Sequence, residues 1–401
     1  MRLRAALATS IFSSFLISSI GTIGGISLTF VGWLIPLIVS HLVLFKAKGL
    51  PKAISHTLFF WLVFILGHGL ASSAPHAIQR SIIIITPAFV ALAASSLPYK
   101  VQNLKRIYSS ILHTSFIFVL IIFTKVFLFK TANIDRLAAE SVAAVCLGWI
   151  CFIVYQSNRS FTFIFCFFLL ASIPLLGANR GPLLALLMAL VLAPPIQSLR
   201  RIAYKATVAF CLAIGMLVFY SPLAEKMFHA GHSFSDGISA PDALQTSGRI
   251  QAWAALLDGV VEAPYLGHGG NASEPFLTST ISEAFSHPHN DYLRILYDYG
   301  TLGFFLFLLT YFSLIRHCIR SPPISDNPNT KILRYIACGL FAPFFLLMSI
   351  DNALLYAAFF GNIHFLLIGI NESIRRSKQY NPKITPLGSP MDSMKPKTFN
   401  P

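Results

Sequence analysis

Residues 285–316 read FSHPHNDYLRILYDYGTLGFFLFLLTYFSLIR. The first half holds His287, His289, Asn290, Asp291, Arg294 and Asp298; the second is mostly apolar and rich in Phe and Leu. A segment that turns from polar to apolar at one point reads as a chain entering a membrane from its aqueous edge. The rest of the sequence repeats the apolar half. The chain has 401 residues, 55% hydrophobic and 11% charged, with a mean hydropathy of +0.68. Soluble domains carry about 25% charged residues. The 36 phenylalanines suit a lipid-facing surface. The expected fold class is an all-α polytopic membrane protein.

Apolar runs near 20 residues predict about 12 transmembrane helices, near residues 6–21, 25–45, 54–72, 80–98, 107–129, 138–156, 160–178, 181–197, 203–222, 297–316, 333–350 and 353–370. The first two share an apolar stretch that Gly21, Gly24 and Gly25 only weakly interrupt. Arg2 and Arg4 resemble the charged start of a signal peptide, but no small-residue cleavage site follows, so an uncleaved first helix is expected. Four segments result: helices 1–9 in residues 1–222, a large loop with short amphipathic helices in 223–296, helices 10–12 in 297–372, and a basic tail in 373–401 that reads as disordered.

Basic residues orient the chain. With both termini in the cytoplasm, 22 of the 30 Lys and Arg fall on the inside, and the large loop lies on the outer side. The formal charge of +15 is then mostly positive-inside bias plus the tail. These residues are split among short loops without interleaved aromatics, which argues against nucleic acid as a partner. The six cysteines fall in predicted helices or beside a cytoplasmic loop, and none has zinc-ligand spacing with histidine neighbours. They read as small apolar fillers.

The loop has internal order. Residues 231–248 are rich in Gly, Ser, Asp and Pro. Residues 249–260, RIQAWAALLDGV, place Ile250, Trp253, Ala254, Leu257 and Val260 at amphipathic helical spacing, with Ser247-Gly248 at its start. Asn271-Ala272-Ser273 has the weak pattern of a glycosylation acceptor.

Three outer-face positions stand out. Arg180, in GANRGPLLALL, opens a helix against its dipole, so its charge needs another purpose. A guanidinium grips phosphate through a planar fork, although snorkelling to lipid headgroups is the plainer use. Arg249 opens the amphipathic helix, where backbone N–H groups also favour an anion; a surface arginine is the alternative. His287 and His289 precede a helix for which Asn290 or Asp291 serves as N-cap. Gly300 and Gly303 are three apart in that helix and predict a small-residue packing face. Neutral histidine suits general-base work on a hydroxyl; a polar interfacial pair is the competing reading, and a metal site of His287 and His289 with Asp291 a weaker one. Asp351, in the turn SIDNALL, suits orienting a histidine or simply making a turn with Asn352.

Taken together, the chain resembles the bacterial O-antigen ligase family, a relative of O-antigen polymerases and of protein O-oligosaccharyltransferases. The likeness rests on His289-Asn290, nine residues, then Gly300 and Gly303; on Arg180 with Leu184; on Arg249 in an S-G-R-x-x-x-W context; on Asp351; and on a large loop late in a chain of about 12 spans. Phe304 departs from the pattern, because many ligases have Thr there. The resemblance implies transfer of a glycan from undecaprenyl pyrophosphate to a sugar hydroxyl of the lipid A core, at the periplasmic face of the bacterial inner membrane. Arg180 and Arg249 would hold the pyrophosphate, and His289 would take the hydroxyl proton, supported by His287 and Asp351. The displacement would invert the anomeric centre, with no metal and no cofactor. Polymerase or protein-glycosylating activity differs only in the acceptor. A transporter would instead need charges near the midplane of broken helices, for which Lys125 and Glu140 are the main candidates.

Overall fold

The computed structural model describes residues 2–23, 26–47, 52–128, 137–192, 199–219, 248–281, 287–320 and 327–379. Nine helices come first: α1 (Arg2–Ile20), α2 (Val31–Phe45), α3 (Lys52–Ala71), α4 (Ala77–Ser96), α5 (Leu104–Phe123, continued by a π turn, Thr124–Leu128), α6 (Ala138–Asn158), α7 (Phe161–Leu176), α8 (Arg180–Leu192) and α9 (Leu199–Phe219). Two short helices follow, α10 (Arg249–Glu262) and α11 (Ser273–Thr280). The chain closes with α12 (Asp291–Arg320), α13 (Pro328–Gly339), α14 (Phe341–Ile350) and, after a 3-10 turn (Ala353–Tyr356) and a π turn (Ala357–Gly361), α15 (Asn362–Gln379). The described residues depart from helix-only architecture at one antiparallel pair, Thr22–Ile23 with Ile26–Ser27.

Eight described segments are long and apolar enough to cross a membrane. Four shorter apolar helices, Leu58–Ala71, Phe161–Leu176, Arg180–Leu192 and Lys205–Gly215, lie at the other expected positions. The chain is therefore an all-α polytopic membrane protein, and a count of twelve requires those four to cross as well. The first apolar stretch resolves into two helices: α1 ends at Ile20, Gly21 takes a φ of +87°, and α2 packs back against α1.

At the centre stands α6, buried at every residue from Ser141 to Val154. It has no polar face because it is surrounded on all sides. Around it pack α7, α8 and α13, while α15 packs most extensively on α4. Outside, Phe45, Phe60, Phe161, Phe168 and Phe312 are exposed. So much open apolar surface is untenable in water and matches acyl chains.

Three expectations are revised. The tenth helix starts at Asp291, at its expected cap and ahead of the apolar span placed at 297–316, but it is interrupted at Gly300 (φ 65°, ψ −172°). The eleventh divides at Leu340, just where Pro343 has no N–H to give the carbonyl four residues back. The last helix continues through 373–379, expected as tail. There Glu372, nearly fully buried, bonds Arg375 at 2.7 Å and His317 at 2.6 Å, and Ser373 accepts from the Tyr99 amide at 2.9 Å. The remaining tail (380–401) and loop residues 223–247 lie outside the described residues.

Candidate active site

The turn before α12 is held from both sides. Asn290 caps the helix, its Oδ1 accepting from the amides of Tyr292 at 3.1 Å and Leu293 at 3.2 Å. Of the two candidate caps, Asn290 is the one used. From α10, Trp253 Nε1 donates to the Pro288 carbonyl, between the two histidines, at 2.7 Å. His289 takes a φ of +49°, a left-handed conformation that a side chain adopts only when its surroundings impose it. Its imidazole is about one-third exposed and faces the turn that ends α14. Nδ1 lies 3.4 Å from Asp351 Oδ1 and 3.2 Å from Asn352 Nδ2. Asp351, mostly buried, also accepts from the Asn352 amide at 2.8 Å.

The arginines come to the same corner. Arg249, the first residue of α10, donates from Nη1 to the Ile350 carbonyl at 2.9 Å, one residue before Asp351. Burial lowers its pKa, and the charges of Asp351 and the Tyr356 hydroxyl oppose that shift. Its guanidinium remains protonated at neutral pH. Arg180 opens α8, which packs on α14 through Gly181 against Ile350, and it is close enough to Arg249 for the two charges to repel. Asn179 sets the preceding turn, donating to the Leu137 carbonyl at 3.1 Å and to Ser141 Oγ at 2.7 Å. Two half-buried cations thus stand together beside a histidine–aspartate pair. That arrangement suits an anion with two or more oxygens, next to a group able to move a proton.

His287 lies within the fields of Arg294, Arg80, Glu274 and His289, and its pKa is pushed down to about 4, first by burial, then by Arg294 and Arg80, with Glu274 opposing and His289 adding to the fall. At neutral pH it is uncharged. Arg80 and Glu274 pair at 3.2 Å, joining α4 to α11.

Sequence reasoning missed the layer beneath the histidine. Arg294, 3% exposed, pairs with Asp291 at 3.1 Å and donates from Nη2 to Asn352 Oδ1 at 2.9 Å. The second oxygen of Asp291 accepts from the Leu354 amide at 2.8 Å. Spacing Asp291-x-x-Arg294 was the available signal, since residues three apart meet on a helix. Nothing local indicated that the pair reaches Asn352, which lies far along the chain.

Gly300 is not part of a small-residue helical face. It breaks α12, and residues 264–269 fill the break: Thr301 and Leu302 amides donate to the carbonyls of Pro264 at 2.8 Å and Tyr265 at 3.1 Å. The amides of His268 and Gly269 donate to the carbonyls of Tyr297 at 3.0 Å and Asp298 at 2.9 Å. Backbone groups orphaned by the break are thereby satisfied by the loop. Gly303 does meet a neighbouring helix, at Phe64 of α3. Asn271, 4% exposed, donates from Nδ2 to the Pro75 carbonyl at 2.9 Å, a structural use in place of a glycosylation acceptor. Lys125 and Glu140 pair at 3.0 Å near the adjoining ends of α5 and α6. All six cysteines are free thiols. Among the described residues no group of three or more His, Cys, Asp or Glu is placed to hold a metal. A cavity lined by Lys105, Tyr108, Asn158 and Asn329 contains none of the residues discussed above.

Fold and site together define a polytopic helical membrane protein with a cationic, histidine-bearing corner at one end of its bundle. Residues 164–308 match the family model described as O-antigen ligase. Over that stretch the chain is similar to the O-antigen ligase family, and the match leaves the rest of the 401 residues uncovered. The match includes Arg180, Arg249, His287 and His289 and ends before Asp351. No curated protein matches the chain.

Proposed function

We infer that the protein transfers a glycan from undecaprenyl pyrophosphate to a sugar hydroxyl of the lipid A core, at the periplasmic face of the bacterial inner membrane. The observation that carries this reading is the convergence of Arg180 and Arg249, from separate helices, on the His289–Asp351 corner. In the proposed reaction the two guanidiniums hold the pyrophosphate oxygens and stabilise the charge that grows as the bond to the sugar breaks. The acceptor oxygen attacks the anomeric carbon from the opposite side and inverts it. The hydroxyl proton passes to His289 Nε2, and the bonding electron pair leaves with undecaprenyl pyrophosphate. Nδ1–H donates to the Asp351 carboxylate, which steadies the ring as an orienting carboxylate does for a histidine base. His287, held neutral, supports the turn. The positive charge needed by the leaving group comes from the arginines, so the proposal uses no metal.

In this topology both termini are cytoplasmic and 223–296 is a periplasmic loop, with α10 and α11 beside the site. The test offers purified protein a lipid-linked glycan with lipid A core or with a protein acceptor, and includes a His289→Ala control. Transfer to lipid A core that is lost in the variant supports the reading. Elongation of the lipid-linked glycan alone makes the protein a polymerase, and transfer to protein alone a protein O-oligosaccharyltransferase. Flux of the donor across proteoliposomes, unimpaired in His289→Ala and without any transfer, makes it a transporter.

A further inference from the structure

His289 Nδ1 faces two groups with opposite demands. Asn352 Nδ2 at 3.2 Å is a donor and needs an unprotonated Nδ1; Asp351 Oδ1 at 3.4 Å is an acceptor and needs Nδ1–H. One nitrogen cannot satisfy both. What decides between them lies one layer deeper. The Asn352 amide cannot turn over, because its oxygen accepts from Arg294 Nη2 at 2.9 Å, and a flip would set an NH2 group against a guanidinium. Arg294 in turn is held by Asp291 at 3.1 Å, and Asp291 is tied to the Leu354 amide at 2.8 Å. Asp291, Arg294 and Asn352 are 0%, 3% and 2% exposed, so water cannot replace a missing partner. An Nδ1–H ring would leave the buried Asn352 NH2 pointing at another donor. Asp351 is less dependent on the histidine: it already accepts a backbone amide at 2.8 Å and lies within the field of Arg249.

We propose that Arg294 and Asn352 are positioning residues that set the His289 tautomer, keeping Nδ1 unprotonated and the proton on Nε2 in the protein without substrate. In that state the nitrogen assigned to take the acceptor proton already carries one. Base action requires the ring to leave Asn352 and close the 3.4 Å gap to Asp351, with the proton relocated to Nδ1. The corner is therefore held in a resting form, and engagement of the Asp351 contact switches it on. The catalytic meaning rests on His289 being the base; the tautomer itself does not.

The experiment is 15N NMR of full-length protein carrying 15N-histidine, in nanodiscs, with the His289 ring signals assigned by their loss in His289→Gln. Spectra are taken on the alkaline plateau of the ring, without substrate. Wild type is expected to show Nδ1 unprotonated and Nε2 protonated. Asn352→Asp keeps an oxygen for Arg294 and replaces the donor with an acceptor, so the proton should move to Nδ1. Asp351→Asn removes the competing carboxylate and should leave the wild-type tautomer unchanged. Nδ1–H in the wild type overturns the proposal, and so does an Asn352→Asp variant with the wild-type pattern. Should Asn352→Asp not fold, Arg294→Lys, which loosens the hold on the amide, is expected to increase the Nδ1–H fraction, and no increase overturns the assignment of Arg294. The readout needs no substrate, so it stands or falls separately from the transfer assay.

Discussion

Replacing Gly300 by alanine tests the splice between α12 and the loop. The glycine has φ 65° and ψ −172°, a region open essentially to glycine alone. A Cβ there would lie 2.4 Å from both the carbonyl carbon and the oxygen of Tyr265 and 2.6 Å from the Gly267 amide nitrogen. These are backbone atoms, so no side-chain rotation relieves the clash. Backbone strain on the order of 1–3 kcal/mol plus overpacking of similar size puts the cost at about 2–6 kcal/mol. Even the lower figure changes the folded-to-unfolded ratio by roughly thirtyfold. The assay is reversible unfolding in mixed micelles, followed by tryptophan fluorescence. Gly67→Ala is the control, because nothing lies within 4 Å of a Cβ added there; it should be neutral or slightly stabilising. If Gly300→Ala is as stable as that control, α12 is continuous and Gly300 and Gly303 form the packing face the sequence suggested.

The remaining expectations concern the charges. Arg180→Ala and Arg249→Ala should each reduce transfer by roughly 10²-fold or more, and lysine should restore little because it lacks the planar fork. Full activity of both lysine variants, measured by transfer from lipid-linked glycan, would exclude bidentate phosphate binding. His287 is lowered from 6.5 to about 4 on folding, so its neutral form contributes stability that is complete above pH 6.5 and lost as the pH falls towards 4. His287→Gln should therefore lose less stability across that window than wild type; parallel pH–stability curves would show that the histidine is not held neutral. EDTA should leave transfer unchanged, whereas strong inhibition reversed by added divalent metal would restore a metal to the mechanism.

Much of the helix content was legible because it depends on local composition. Lipid requires backbone hydrogen bonds to be satisfied within each segment, so an apolar run near 20 residues specifies a helix almost independently of its neighbours. For the same reason α1 and α2, α6 and the amphipathic α10 lie close to their expected positions. The division at Leu340 follows from the local Pro343, but the other two changes depend on a distant partner that extends or interrupts a helix. Glu372 carries α15 past residue 373 through its bond to His317, and the turn at Pro264–Gly269 fills the break at Gly300.

Residue type and position at the edge of an apolar run singled out Arg180, Arg249, His287, His289 and Asp351, and the family resemblance supplied their expected roles. Their division of labour depends on three dimensions. Only the packing of α8 on α14 brings Arg180 and Arg249 near each other, and only the turn after α14 places Asp351 at His289 while burial and the field of Arg294 act on His287. The Arg294–Asn352 layer was invisible for the same reason. A buried hydrogen bond forms because the fold excludes water from two groups far apart in sequence, and no local pattern records that exclusion.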